Sequence, residues 1–414
     1  MILRVLGLIL AVQLAASVAG AARLEIIEGE NYDLIASTSR GLRLRFREPD
    51  MVFRVGGRVH ADAAFFDDDT SDLDPDVMLR RGRVYLSGKI LDDFGFKIER
   101  ELAPSRGEWR NLWISYAPSN RIGFKAGNFI APFGLEQMAS SNVLTFMERS
   151  MSGTIGSSFQ TGLRVDANGK LTGERSRHRY TFVLAGLTDP MGQVSDDPRS
   201  ATGGSNHDHH WSVVARASYA PIARRKLVVH FGGAAEYRDV LAGSDYRISS
   251  QLESNLGPRF LDTGAIADVD SAISAGAEAA ALFGPVLLQG EYQQAFLQAD
   301  GGGEDPGFGG GYAQASWVVT GEHREYSRRS GVFGGLMPRS AWGAVELAAR
   351  YSVLDLQDAG IAGGKAQTWT VGANWYIRSN LRLMFNYLKV DAERNGSGAA
   401  DDPHIFQLRT ALFF

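Results

Sequence analysis

The stretch FRVGGRVHADAAF (residues 53–65) decides the fold. Phe53, Val55, Val59, Ala61, Ala63 and Phe65 share one parity, while Arg54, Arg58, His60 and Asp62 share the other. Successive side chains of a strand point to opposite faces, so this segment reads as a strand with one apolar and one charged side.

The same alternation returns along the chain. In VMLRRGRVYLSGKI (77–90), Val84, Leu86 and Ile90 oppose Arg81, Arg83, Tyr85 and Lys89. In FGFKIERE (94–101), Phe94, Phe96 and Ile98 oppose Lys97, Glu99 and Glu101. Later, VLLQGEYQQAF sets Leu288, Tyr292 and Phe296 against Gln289, Glu291 and Gln293, and AWGAVELAARYSV sets Val345, Leu347 and Tyr351 against Glu346 and Arg350. The unit that repeats is the hairpin rather than any sequence motif.

Composition narrows the choice. The chain has 414 residues, 48 of them Gly, no Cys and a formal charge of −4. After the N-terminus no apolar run reaches about 18 residues, which excludes membrane-spanning helices. A transmembrane β-barrel stays open, because each of its strands needs only about 10 alternating residues. Residues 1–21, with Arg4 before an apolar run that ends in small residues, read as a secretory signal peptide. Residues 22–50 are expected to form a periplasmic N-terminal segment, and 51–414 the barrel domain.

Strand length and connections favour an outer-membrane barrel over a soluble sandwich. The alternating segments run to about 10–14 residues, against the usual 5–6 of soluble strands. Aromatics such as Phe65, Trp211, Tyr219, Trp375 and Tyr376 gather near strand ends, as interfacial girdles require. Tight turns (Leu91-Asp92-Asp93, Pro118-Ser119-Asn120, Gly284-Pro285, Arg378-Ser379-Asn380) alternate with long polar loops. The last segment, PHIFQLRTALFF, ends a strand pattern on Phe414. The expected fold is all-β, a transmembrane antiparallel barrel of about 16 strands. Residues 239–272 and 320–340 fit no clear strand.

With the apolar face toward lipid, the charged face lines a lumen. The first six strands then supply Arg54, Arg58, Arg81, Arg83, Lys89, Lys97, Lys125 and Arg164 to it, against Asp62, Glu99, Glu101 and Asp166. A wall of fixed positive charge raises the local concentration of anions, and the planar donor fork of arginine suits phosphate oxygens. His207, Asp208, His209 and His210 lie in a Gly/Ser/Asp loop and read as solvated rather than metal-binding, so no metal or cofactor is expected. The aspartates at 67–76 lack the Gly and distal Glu of a calcium loop and read as an acidic external loop beside lipopolysaccharide. No Ser sits in a G-x-S-x-G context, and an enzyme is not expected.

One segment breaks the alternation: GNFIAPFGLEQMASSNVLTFMERS (127–150). It strongly resembles the signature of the phosphate-selective porin O/P family, in which Gly-x-Phe, Pro-Phe-Gly-Leu-Glu and Thr-Phe-Met-Glu-Arg-Ser recur in this order. The likeness extends to FRVGGRVHADAAFF, FLDTGAIADVDS, VVTGEHREY, GAVELAARYS and VGANWYIRSNLRLMFNY, and so covers nearly the whole mature chain. The resemblance implies a homotrimeric 16-stranded outer-membrane channel that conducts phosphate or polyphosphate. It also implies a third external loop, about 130–160, that folds inward as a constriction and carries Pro132, Phe133, Gly134, Glu136, Glu148 and Arg149. Glu148 and Arg149 are expected to pin that loop to the wall. Two other functions fit the residues: a general-diffusion porin without phosphate selectivity, suggested by Glu136, Glu148 and Glu346, and a structural surface protein, suggested by the long acidic loops.

Overall fold

The computed structural model describes residues 25–37, 41–67, 73–103, 108–171, 178–191, 210–241, 244–299, 303–393 and 400–414. The leader at 1–21, most of the aspartate-rich loop and His207, Asp208 and His209 lie outside them.

Three short strands, β1 (Glu25–Glu28), β2 (Tyr32–Ser37) and β3 (Gly41–Phe46), form an antiparallel meander. The barrel follows as β4 (Met51–Asp67), β5 (Asp76–Ile90), β6 (Phe94–Glu101), β7 (Trp109–Tyr116), β8 (Ile122–Ile130) and β9 (Phe159–Gly169). It continues through β10 (Arg179–Thr188), β11 (Trp211–Arg224), β12 (Leu227–Asp239), β13 (Val269–Phe283) and β14 (Val286–Ala299). It ends with β15 (Gly307–Val318), β16 (Ala344–Asp358), β17 (Ile361–Arg378), β18 (Leu381–Glu393) and β19 (His404–Phe413). The continuous sheet has 20 strands, and setting aside the meander and the two-residue strand Ala400–Asp401 leaves sixteen in the ring. Every ring strand pairs antiparallel with its chain neighbour, and β19 closes on β4 from His404↔Asp67 to Phe413↔Arg58. Closure removes the free edges that would otherwise expose unpaired backbone to lipid.

β4 serves two partners. Residues 51–55 pair with β3 and residues 58–67 with β19, and Gly56 and Gly57 mark the handover. There Gly57 N donates to Phe414 O (2.9 Å) and Phe414 N donates to Gly57 O (3.0 Å). A Cβ on Gly56 would collide with the Phe414 carbonyl oxygen, so glycine there lets the C-terminus come this close, and a Cβ on Gly57 would stand 2.6 Å from the Arg83 carbonyl oxygen of β5.

The two faces of the ring differ as the alternation requires. Phe65, Leu79, Val84, Leu163, Trp211, Phe231, Leu288, Trp369, Trp375 and Leu408 are exposed on the outer face, while Arg58, His60, Asp62, Glu99, Arg216, Glu278, Glu346, Arg350 and Arg409 are buried on the inner one. Charge on the outer face would cost about 2–4 kcal/mol per residue at the bilayer midplane, whereas apolar residues there meet a solvent as apolar as themselves. Tyr376 departs from the girdle expected of it: it is buried on the inner face, and its hydroxyl donates to Glu346 Oε2 at 2.7 Å.

Of the two stretches without a strand pattern, 239–272 gives the ring only Asp239 and the first residues of β13 from Val269, and 320–340 gives it nothing. Between β12 and β13, Tyr246, Ile248, Leu252, Phe260 and Leu261 pack with Met151, Ile155 and inner-face residues such as Leu354, Leu388 and Ile405. Between β15 and β16, Phe333 joins Leu135, Val228, Ala280, Leu282 and Leu287, and Leu336 joins Val318, Ala344 and Tyr376. Their own pairing is limited to the short ladders Ser249–Ser250 with Leu261–Asp262 and Tyr326–Ser327 with Val332–Phe333 and a bridge Tyr246↔Ile266, and packing against inner-face side chains does the rest.

Candidate functional site: a charged interior around residues 131–158

β8 stops at Ile130 because Pro132 has no N–H to continue a ladder. Ala131 N donates to Ser158 O (2.7 Å), tying the two ends of the following segment together. Phe133 packs with Phe129, Ala185, Leu187 and Val214. Gly134 has φ 80°, a left-handed conformation that favours glycine, and it turns the chain into a single α-helical turn, Leu135–Met138 (α1). The carboxylate of Glu291 on β14 accepts both Leu135 N and Glu136 N, each at 2.7 Å.

Backbone accounting explains why LTFMER does not alternate like a strand. Arg324 Nη1 donates to Val143 O (2.5 Å), Arg382 Nη1 to Leu144 O (2.8 Å), Asn374 Nδ2 to Thr145 O (2.8 Å), Arg409 Nη1 to Met147 O, and Arg350 Nη1 to Glu148 O (3.2 Å). Side chains from β16, β17, β18, β19 and the β15–β16 connection thus satisfy carbonyls that a strand would pair with its neighbour.

Glu148 is the node of the segment. Arg80 grips it bidentately (Nε–Oε1 2.9 Å, Nη2–Oε2 2.9 Å), Arg81 Nη2 lies 3.3 Å from Oε2, and Arg409 Nη2 donates to Oε1 at 2.6 Å. Burial opposes ionisation of this carboxyl, but the three guanidinium groups outweigh it and hold the group well below the usual carboxylate range. Removing it would strand buried positive charges, at a cost of about 3–5 kcal/mol. The neighbouring Arg149 binds inside the segment, donating to Glu136 O (3.1 Å), Gln137 O (3.3 Å) and Ala139 O (2.8 Å). Wall attachment thus comes from Glu148, while Arg149 ties the segment to itself. For Glu136, burial pushes the carboxyl up, with Arg350 and the Ser150 N–H countering only in part.

The basic residues singled out from the sequence divide into groups. Arg58 donates to Ser141 Oγ (2.8 Å) and Glu99 Oε1 (3.2 Å), Lys97 reaches Glu99 (3.0 Å), Arg83 reaches Glu101 (2.7 Å), and Arg164 Nε reaches Asp166 Oδ1 (3.0 Å). Lys125 Nζ sits 4.5 Å from the centre of the Trp113 ring. Arg54 and Lys89 do not join them: both are exposed near the meander end of the barrel, and Lys89 Nζ bonds the Asp92 carbonyl in the adjacent turn.

The alternation missed Arg80. His60 pairs with Arg81 and Ala61 with Leu79, so Arg80 is the extra residue of a β-bulge, which turns Arg80 and Arg81 inward together. Arg350 and Arg409 were visible on the polar parity of their strands. Arg324 and Glu253 sit in the connections and gave no periodic signal. Arg350 bridges Glu253 and Glu136 (3.4 Å), and Glu253 also accepts Ser352 Oγ and Met151 N (3.3 Å).

Between the segment and β5 lies a cavity of about 130 Å³ lined by Arg80, Arg81, Arg83, Arg110, Arg149, Glu148 and Glu253, with Ser150 and Thr154 beside them. That volume is room for about four waters or one small oxyanion. Five guanidinium groups against two carboxylates make its lining positive on balance in a chain that is acidic overall. On β12–β16 the balance reverses: Glu236 accepts Ser157 N (3.1 Å), Glu278 pairs with Arg216 and His230, and Glu346 pairs with Arg324.

A closed sixteen-stranded barrel, apolar outside and crowded with charge inside, is the architecture of a bacterial outer-membrane porin. Residues 53–414 match the model of the family described as phosphate-selective porin O and P, and the chain belongs to that family. Porin O of Pseudomonas aeruginosa is 25% identical over 94% of this chain and 94% of its own. Among solved structures, the anion-selective porin from Comamonas acidovorans is 15% identical, with a TM-score of 0.53 over 87% of this chain and 100% of its own. The trimer form of Vibrio cholerae OmpT is 13% identical, with a TM-score of 0.52 over 88% of this chain and 99% of its own. At that identity the two structures speak for the fold alone.

Proposed function

We propose that the protein is a passive outer-membrane channel for small oxyanions, phosphate or polyphosphate, and that residues 131–158 form its constriction. The cavity with five arginines and two glutamates carries this reading, because an ion crossing it is surrounded by preorganised donors with a positive balance. Arg58, Arg81, Arg83, Lys97, Lys125 and Arg164 are the pore-lining cations on this reading, and Arg80 and Arg110 join them. Diffusion needs no chemistry: each anion exchanges water for guanidinium hydrogen bonds and leaves because the carboxylates weaken the hold. The family and the trimer form of OmpT support a homotrimer whose outer faces contact lipid and lipopolysaccharide. Residues 1–21 serve as the export signal, and the meander lies on the periplasmic side.

The test is block of chloride current by inorganic phosphate through the purified channel in a planar bilayer. Half-block at sub-millimolar to millimolar phosphate is expected. One observation favours a general-diffusion porin instead: Arg58, Arg80, Arg81, Arg83, Arg350 and Arg409 all have carboxylate partners, which dilutes the field. Chloride current indifferent to phosphate would favour that reading.

A further inference from the structure

Four inner-face residues fall in one row across the seam where the barrel closes. Arg382 pairs with Ala411, Ala411 with His60, and His60 with Arg81. All four are buried. Adjacent strands lie about 4.8 Å apart, so the backbones of Arg382 and His60 stand about 10 Å apart with Ala411 on the strand between them.

The hydrogen bonds around this row are one-sided. Arg81 Nη1 lies 3.3 Å from His60 Nδ1, and a guanidinium only donates. Nδ1 therefore accepts, and the ring proton sits on Nε2. Among the described residues, His60 Nε2 has no acceptor, and neither do Nε and Nη2 of Arg382 or Nε of Arg58. Arg382 bonds only through Nη1, to Leu144 O (2.8 Å) and Tyr376 Oη (3.2 Å), and it forms no ion pair with a described carboxylate. Nearby acids are engaged: Glu99 by Arg58 and Lys97, Asp62 by Arg409, Glu148 by Arg80, Arg81 and Arg409. Arg58, Arg81, Arg382 and Arg409 all act electrostatically on His60.

Buried donors without acceptors are costly, and the Nε–Nη2 edge of a guanidinium is the face that grips an oxyanion with two parallel hydrogen bonds. We propose that Arg382, His60 and Arg58 form a second oxyanion station, distinct from the five-arginine cavity, that takes a tetrahedral anion such as inorganic phosphate over Ala411. It rests on the reading of the protein as an anion channel. Arg382 supplies the bidentate edge, His60 Nε2–H a neutral donor, and Arg58 Nε a further one. Arg81 lines the first cavity and touches His60, so it links the two stations. Three donor-bearing side chains suit an ion with several acceptor oxygens better than a halide.

The experiment titrates inorganic phosphate against chloride current through the full-length channel in planar bilayers, with heat-modifiable electrophoretic migration checking that each variant folds. Arg382→Met is expected to raise the half-blocking phosphate concentration about tenfold or more, and Arg382→Lys to recover part of the loss. Ala411→Leu, which keeps every donor and puts a larger side chain between Arg382 and His60, is expected to raise it comparably. Block lost in Arg81→Met but retained in Arg382→Met and Ala411→Leu would overturn the station and leave the channel reading standing. A wild-type channel with neither phosphate block nor anion preference would overturn both.

Discussion

The wall from β4 to β9 and the wall from β12 to β16 are built on the same two-residue alternation, yet they use charge in opposite ways. On the first, Arg58, Arg80, Arg81, Arg83 and Arg110 are buried or nearly so, and four of them, all but Arg58, line the cavity beside Glu148 together with Arg149. On the second, Glu236 and Glu291 accept backbone N–H groups of residues 135–157, and Glu278 and Glu346 hold guanidinium groups whose other nitrogens bond the connections. Both walls hold the segment, the acidic one through Glu236 and Glu291 and the basic one through Arg58, Arg80 and Arg81, and on the proposed reading the surplus positive charge of the basic one faces what passes. A single count of charges, −4 overall, hides this division.

The contrast breaks most visibly if the basic wall is inverted. Arg81→Glu with Arg83→Glu turns a lining of five cations and two anions into three and four. Anion preference is expected to fall by about tenfold or more and cross into cation preference, read as a sign change in reversal potential. The acidic wall should respond differently. Glu291→Ala removes the acceptor of two loop amides, which costs about 1–3 kcal/mol for each orphaned donor. Larger and noisier single-channel conductance is expected, with the sign of selectivity kept.

Acidification sharpens the division more gently. Glu148, held down by Arg80, Arg81 and Arg409 against the opposing effect of burial, contributes stability that is fully present above the ordinary carboxylate pKa of about 4.3 and lost only as pH falls through its depressed value. Glu136 is pushed up by burial, so it takes its proton first, and its neutral form favours the folded state as pH falls through that raised value. Reversal potentials at pH 7, 5 and 4 should therefore hold steady or drift slightly toward anions, without collapse. The smallest effect belongs to Arg54→Ala and Lys89→Ala, both exposed: stability within about 0.5 kcal/mol of wild type and unchanged selectivity.

Much of this was legible in the sequence wherever a ladder imposes its period. FRVGGRVHADAAF carries its inner face at Arg58, His60 and Asp62, and GAVELAARYS carries Glu346 and Arg350 on one parity, because a strand leaves no other arrangement. Arg80 was not legible, since a bulge shifts the parity and nothing in LRRGR announces it. Tyr376 looked like a girdle residue beside Trp375, but the strand turns it toward Glu346 and Arg382. Arg324 and Glu253 stayed hidden because their segments answer to packing and side-chain hydrogen bonds, which have no period. The pairing of the basic wall was only partly visible: Glu99 and Glu101 stood out as acidic companions, whereas Glu148 reaches Arg80 and Arg409 across 68 and 261 residues of chain.

The most direct test is the reversal potential of the wild-type channel in a planar bilayer under a KCl gradient. A potential on the chloride side, showing anions to be several-fold more permeant than potassium, is the predicted result. A potential near zero or on the potassium side would mean that the arginines of β4–β9 are neutralised by their carboxylate partners and do not select what passes.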